Sequence, residues 1–407
     1  MNDMNDAAPP PCFPMPRTGS PFDPPVEYER FRQEGPLSKV RMWDGRDAWL
    51  VTRMADVRAV LANPHFSNNP AHPGYPFLSP ARAETLKNYQ TFITMDAPDH
   101  TRLRRMLTKD FTQKRMEEMR PGIEKLVDSM IDDMIAKGPP ADLVRDLALK
   151  LPVTVLSLLV GVPEPDRDQL VKWSADRLNI TLEADKVTQA THAMLQYFDQ
   201  LLRRREQNPG AVADTVSRLV VEQIQPGHLS RKSAVHMLDL LFFAGHETTA
   251  NQIELGVLSL LLHPQQRAGL ACDPALARNA VEEMLRYHTP THYHACRVAT
   301  ADTTVGGQPV RAGEGVFALL TAANRDPAAF AQPDQFDIAR NNAPDHVTFS
   351  YGIHQCLGQP LARLELQTVF QKLFQRLPGL ALAVPFEDIS FKKEMYIYGL
   401  RTLPVTW

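Results

Sequence analysis

Along most of the chain apolar positions recur at helical spacing, and they alternate as strands do only in short stretches near the two ends. A short amphipathic helix is predicted near Val26–Gln33, then a strand pair, Ser38–Met42 and Ala48–Val51, with Asp44-Gly45 as the hairpin turn. Met54–Leu61 reads as a helix that stops before Asn63-Pro64. Residues 64–94 hold Pro64, Pro70, Pro73, Pro76 and Pro80 with little periodicity, so a long functional loop is expected there. From Asp99 to about Glu206 the pattern is mostly helical, and Leu143–Leu159 is apolar enough to be buried. Ser233–Leu262 reads as one helix of about 30 residues, or roughly 45 Å, stopped by Pro264. Pro274–Tyr287 is a further helix, Thr303–Val310 a hairpin around Gly306-Gly307, residues 324–348 a run of turns, and Gln359–Arg376 a last helix before short terminal strands. The proline-rich residues 1–20 are expected to be a flexible arm, and residues 21–407 to form one domain, mainly α, with small β-sheets near both ends.

Composition changes this picture little. At 43% hydrophobic and 22% charged residues the chain has the makings of a large core, and its net charge of −3 gives no overall attraction to nucleic acid. Cys12, Cys272, Cys296 and Cys356 are far apart, so neither a disulfide framework nor a zinc knuckle is indicated. The start of the chain lacks the apolar core of a signal peptide, and no stretch approaches the roughly 20 apolar residues that span a bilayer. A soluble cytoplasmic protein is expected, with no nucleic-acid or membrane partner.

The chemistry concentrates in Phe349-Ser-Tyr-Gly352-Ile-His354-Gln-Cys356-Leu-Gly358-Gln-Pro360. A cysteine just before a helix faces unpaired N–H groups and the positive end of the helix dipole, which favour a thiolate. Gly352 allows a tight turn, Gly358 lets backbone donors reach the sulfur, and Pro360 suits the first helical turn. Phe349 is placed to shield the sulfur from water. A lone cysteine is usually just a small buried residue; the whole Phe-x-x-Gly-x-His-x-Cys-x-Gly string makes Cys356 a candidate ligand of a haem iron. With these residues the sequence, from about residue 25 to its end, resembles the cytochrome P450 superfamily, soluble microbial type.

The resemblance implies a single-domain cytochrome P450 fold, haem b (iron protoporphyrin IX) as cofactor, and Cys356 as the axial thiolate. Other segments agree with it. Glu283 and Arg286 share a helix face; alone they would be an ordinary surface pair, but the resemblance implies a buried structural trio with Arg340. Ala244-Gly245-His246-Glu247-Thr248-Thr249 puts poor helix formers in mid-helix, which suggests a local kink, or merely a close helix contact. The resemblance places Ala244 over the face where O2 binds, and makes Thr248 and Glu247 the hydroxyl and the acid that deliver protons. His100 and Arg104, one turn apart, would read as a solvated basic helix; with Arg297 and His354, the resemblance makes them partners of the haem propionates, which need charged donors when buried.

His288, His292 and His294 lack a further ligand at metal spacing. By position in the family, Phe92, Phe243, His292 and Tyr396 are candidate substrate contacts. Arg102, Arg105, Lys114, Arg115 and Arg363 are ordinarily solvated charge, and in the family reading they form a docking patch for an acidic ferredoxin. No flavin or iron–sulfur motif is present in the sequence, so electrons are expected from outside, through ferredoxin and ferredoxin reductase.

The expected activity is O2-dependent hydroxylation or oxidative dealkylation of a small, largely apolar organic substrate. Two other functions compete. One is a haem-thiolate nitric oxide reductase fed directly by NADH: Arg286-Tyr-His-Thr289 and the region near Trp43–Val51 resemble fungal enzymes of that kind. Those enzymes depart from the acid–alcohol pair that this chain keeps, and the 64–94 segment offers only Arg82 and Lys87 to a pyrophosphate. The other is a haem-binding sensor without oxygenase activity, against which Glu247-Thr248 also argues.

Overall fold

The computed structural model describes residues 9–209, 214–291, 293 and 295–407. Helices dominate. A small five-stranded sheet runs in the order Ser38–Arg41, Asp47–Val51, Gly315–Ala318, Cys296–Ala299, Phe66–Ser67, so segments from both halves of the chain share it. Ser38 pairs with Leu50 and Arg41 with Asp47, as the Asp44-Gly45 turn requires. Gly315–Ala318 joins the hairpin in parallel, with Trp49 against Val316. Ala141–Asp142, Pro404–Thr406 and Ala381–Leu382 form a second small sheet, and Thr303–Val305 pairs with Gln308–Val310.

The main core is helical. Gln113–Lys137, Ala277–His288 and Gln359–Arg376 pack with the central pair Arg231–Gly245 and Glu247–Leu262 around Met116, Val127, Leu238, Phe242, Val257, Met284, Phe370 and Phe374. Two satellite cores lie on the sheet, one around Val57, Val316 and Phe330 and the other around Phe13, Leu50 and Phe317. Leu143–Leu159 is buried over most of its length, although Leu158 is exposed. Among the described residues no helix is long and apolar enough to cross a membrane.

Three expectations are corrected. The long helix is two, because the backbone breaks at His246 between Gly245 and Glu247. The proline-rich segment is not all loop. Ser79 accepts a hydrogen bond from the Arg82 N–H, Pro80 takes the first turn, and a helix forms over Pro80–Asn88, followed by a short 3-10 turn at Phe92–Thr94. The expected flexible arm is packed over part of its length: Phe13 and Met15 are buried, and Cys12 bridges to Arg41 along the first sheet strand, covering what would otherwise be an open edge. Residues 1–8 of that arm lie outside the described residues.

Candidate haem-thiolate site

The central helix pair is buried from Ala234 to Leu260 except at four positions: Phe243, Ala244, Gly245 and Thr248. Ala244 and Thr248 are one turn apart, and the Thr248 hydroxyl donates to the Ala244 carbonyl at 2.8 Å. Thr249 does the same to Gly245 at 3.3 Å. These bonds compete with the regular ladder at the place where the backbone breaks. Gly245 is needed for packing too, since a Cβ there would lie 2.9 Å from Leu156 Cδ2.

Glu247 points elsewhere. It is 5% exposed, and its Oε1 accepts from Lys392 Nζ at 2.8 Å. Burial pushes its carboxyl up, but Lys392 and His246, then hydrogen bonds from Lys392 and Asn251, outweigh burial and hold it below the usual range. Lys392 carries no local sequence signal of this role. It lies 145 residues away, and only the folded C-terminal segment brings it to Glu247.

Cys356 sits at the entry to Gln359–Arg376, which packs against Glu247–Leu262 so tightly that a Cβ on Gly256 would lie 2.5 Å from Phe370 Cζ. The loop is shaped by its backbone. Gly352 has φ +73, and a Cβ there would meet Leu61 O at 2.6 Å. The Cys356 N–H donates to Phe349 O at 2.8 Å, and Arg104 reaches the Gln355 carbonyl at 2.6 Å. Burial pushes the Cys356 thiol up, while the N–H groups of Gly358 and Gln359 and the charges of Arg104 and Arg363 favour the thiolate. A Cβ on Gly358 would lie 4.0 Å from both Cys356 Sγ and Phe111 Cε1.

Beside this loop lies a set of donors lacking an anion. His100 is buried, and among the described residues neither of its ring nitrogens has a hydrogen-bond partner, nor does His354 Nδ1. The two rings are 4.3 Å apart. Burial, then Arg297, His100 and Arg104, lowers His354 to about 3. Arg297 is 3% exposed and donates to its neighbour's carbonyl. Among the described residues no carboxylate lies within ion-pair distance of Arg104 or Arg297. Such buried donors call for an anionic group.

The Glu283 trio assembles. Arg286 Nε and Nη2 donate to Glu283 at 2.7 and 2.8 Å, and Arg340 Nε donates to it at 3.2 and 3.3 Å. Both arginines are also spent on carbonyls of the segment before the cysteine loop, including those of Pro333 and Gln335. Phe243 and Tyr396 meet in a small cluster with Leu178, Met395 and Ile397. Phe92 is apart from them, in the main core near His100, with ring centroids 6.3 Å apart. His292 and His294 lie outside the described residues. His288 is buried at 2.9 Å from the Ser259 hydroxyl, a structural contact. Arg363 is not a free surface cation: it holds Glu282 through two nitrogens at 2.7 and 2.9 Å and lies over the Phe349 ring.

A family model for cytochrome P450 matches residues 275–381. The chain is also 43% identical to cytochrome P450-SU2 of Streptomyces griseolus over the full length of both. This chain belongs to the cytochrome P450 family. Two solved structures agree over 98% of this P450 and all of their own chains: GfsF, at 42% identity and TM-score 0.90, and the mycinamicin VIII C21 methyl hydroxylase MycCI of Micromonospora griseorubida with mycinamicin VIII bound, at 38% and 0.92. The protein is therefore a cytochrome P450 monooxygenase whose cofactor is iron protoporphyrin IX, and it uses O2, an external redox partner and an organic substrate. The residues present fit the cofactor. Cys356 offers a sulfur whose neighbours favour the charged form, and His100, Arg104, Arg297 and His354 offer nitrogen donors for two carboxylates.

Proposed function

We propose that this P450 hydroxylates or oxidatively dealkylates a small, largely apolar organic molecule in the cytoplasm, with electrons from ferredoxin and ferredoxin reductase. The observation that carries the reading is the break in the central helix. Accessible Ala244 and Thr248 sit there beside a buried, charge-stabilised Glu247.

When bound, the haem supplies the iron at which O2 takes two electrons and is cleaved, with one oxygen atom going to the substrate and the other to water. The protein does the rest. Cys356 would ligate the haem iron through its sulfur, towards which the N–H groups of Gly358 and Gln359 are directed. His100, Arg104, Arg297 and His354 hold the propionates. Thr248 holds a water at its hydroxyl, and Glu247 passes a proton to it. Glu283, Arg286 and Arg340 fix the segment that leads into the cysteine loop. Phe243 and Tyr396, with Phe92, are the proposed substrate contacts, mostly apolar with few polar points.

Electron entry is proposed beside Asp99–Thr108, where the exposed Arg102 and Arg105 line a surface hollow; Lys109 and Arg218 line it too, but they are paired with Glu222 and Asp110. Basic groups around an apolar floor suit an acidic ferredoxin and would speed its docking. Glu247 and Thr248 also separate this reading from an NADH-fed nitric oxide reductase and from a sensor. The test is to supply NADH alone, then NADH with ferredoxin and its reductase, and to follow substrate oxidation and nitric oxide loss. Product that requires the ferredoxin pair supports the proposal; nitric oxide consumed with NADH alone overturns it.

A further inference from the structure

The C-terminal segment is strapped to the helix Glu247–Leu262 at three points. Asn251 Nδ2 donates to Ile397 O at 3.2 Å, and the Leu400 N–H donates to Glu254 Oε2 at 2.8 Å. The third strap is Lys392, whose Nζ contacts Glu247 Oε1 at 2.8 Å, Asn251 Oδ1 at 2.8 Å and Glu254 Oε1 at 3.7 Å. Gly399 makes this possible, since a Cβ there would lie 2.4 Å from Asn251 Cγ. One ammonium thus stands between two carboxyl groups seven residues apart on one helix. Glu254 has no exposed side-chain surface, its Oε1 has no hydrogen-bond partner among the described residues, and the Lys392 side chain keeps 14% of its surface accessible.

Two buried carboxylates and one ammonium leave an uncompensated negative charge, which low-dielectric surroundings disfavour. One carboxyl should therefore hold a proton. Glu247 has the short contact to Lys392 and a further lowering influence from His246. Glu254 has the longer contact, and burial, opposed by Lys392 but reinforced by Glu247 and Asp142, raises it to about 8. Arg401 is the remaining charge facing Lys392. These are the charged and titratable groups around the trio.

We propose that Glu254 is the proton reservoir behind Glu247, and that Lys392 is the positioning residue that joins them. This rests on the proposed role of Glu247 and Thr248. The Lys392 ammonium gives a proton to the Glu247 carboxylate and takes one from the Glu254 carboxylic acid. Lys392 is left charged, Glu247 neutral and Glu254 ionised. Glu247 passes its proton to the water at Thr248, and Glu254 is refilled from solvent along Lys392. Each pass carries one proton, and the reaction needs two.

The experiment has a static arm and a kinetic arm, both on the haem-loaded protein. Infrared spectra of the resting wild type should show a neutral-carboxyl band that fades as pH rises through about 8 and that Glu254→Gln removes. Glu365 is also buried and raised to about 8, so Glu365→Gln identifies its separate band. In the kinetic arm Glu254→Gln and Lys392→Met should slow the proton-dependent step about tenfold, a modest share of what a positioned proton donor contributes. The alkaline fall of the wild-type pH profile should disappear in Glu254→Gln, and Lys392→Arg, which keeps the charge but does not give up its proton, should stay about as slow as Lys392→Met. The proposal is overturned if Glu254→Gln removes no band, if its pH profile matches wild type, or if Lys392→Arg turns over at the wild-type rate. Failure of Thr248→Ala to uncouple turnover would instead strike the reading of Glu247 and Thr248, and would leave the infrared result standing.

Discussion

Glu283 and Arg286 form a two-pronged ion pair with neither side chain exposed to solvent. Arg340 completes it, and the Asp337 N–H also donates to Glu283 Oε1 at 2.9 Å. A carboxylate so enclosed leaves two cations stranded when removed. Glu283→Ala is expected to cost about 3–5 kcal/mol of stability, as loss of one partner of a buried pair does. It should also loosen the segment from Pro333 to Arg340 that leads to the cysteine loop. Denaturant titration of the purified variant, with haem content measured beside it, checks both; wild-type stability would show that the trio is not structural.

Glu282, next in sequence, gives a pH prediction. Burial pushes its carboxyl up, but hydrogen bonds from His346 and Arg363 and their charges outweigh this and bring it to about 2. The folded value lies below the unfolded one of about 4.3. Its contribution is therefore present above that unfolded value and is lost as pH falls through about 2. The difference corresponds to about 3 kcal/mol at neutral pH. Glu282→Gln should be less stable than wild type at pH 6 and approach it below pH 3. Parallel stability curves for the two proteins across that range would rule out the assignment.

Much of this was legible from local chemistry. The cysteine loop, the hairpin at Asp44-Gly45 and the helix Gln359–Arg376 stand where the pattern puts them, because glycine, proline and apolar spacing act over a few residues. Ser79-Pro80 carried a helix-start signal that the surrounding prolines obscured. The missed contacts are those made across the chain. Nothing near Lys392 marks it as the partner of Glu247, and nothing in the first twenty residues marks Phe13 and Met15 as core until a sheet edge is there to receive them.

A second cross-chain contact bears on access to the site. Asp239, fully buried on Arg231–Gly245, binds Arg177 at 2.7 and 3.2 Å and accepts from the Tyr89 hydroxyl. Arg177 also lies 4.2 Å from the Phe243 ring centroid. One carboxylate thus ties the end of Arg167–Leu178 and the residue after Pro80–Asn88 to the central helix. Asp239→Ala should cost about 3–5 kcal/mol. Asp239→Asn, which keeps the shape but drops the charge, should lose less. Hydrogen exchange should rise first around Tyr89 and Arg177; exchange that rises evenly over the whole chain would refute a local tie.

The acid–alcohol assignment makes the sharpest functional claim, and Thr248 is the residue to change. Among the described residues its hydroxyl has one partner, the Ala244 carbonyl, and it lies on the accessible face of an otherwise buried helix. Removing it leaves helix packing nearly intact, because alanine is the better helix former. Thr248→Ala should therefore bind haem and give the thiolate-type CO difference spectrum, which Cys356→Ala should lose. NADH oxidation through the ferredoxin chain should continue, but product per NADH should fall about tenfold or more, with hydrogen peroxide making up the difference. Thr248→Ser, which keeps the hydroxyl, should recover most of the coupling. Unchanged coupling in Thr248→Ala would mean that protons reach the site without this hydroxyl.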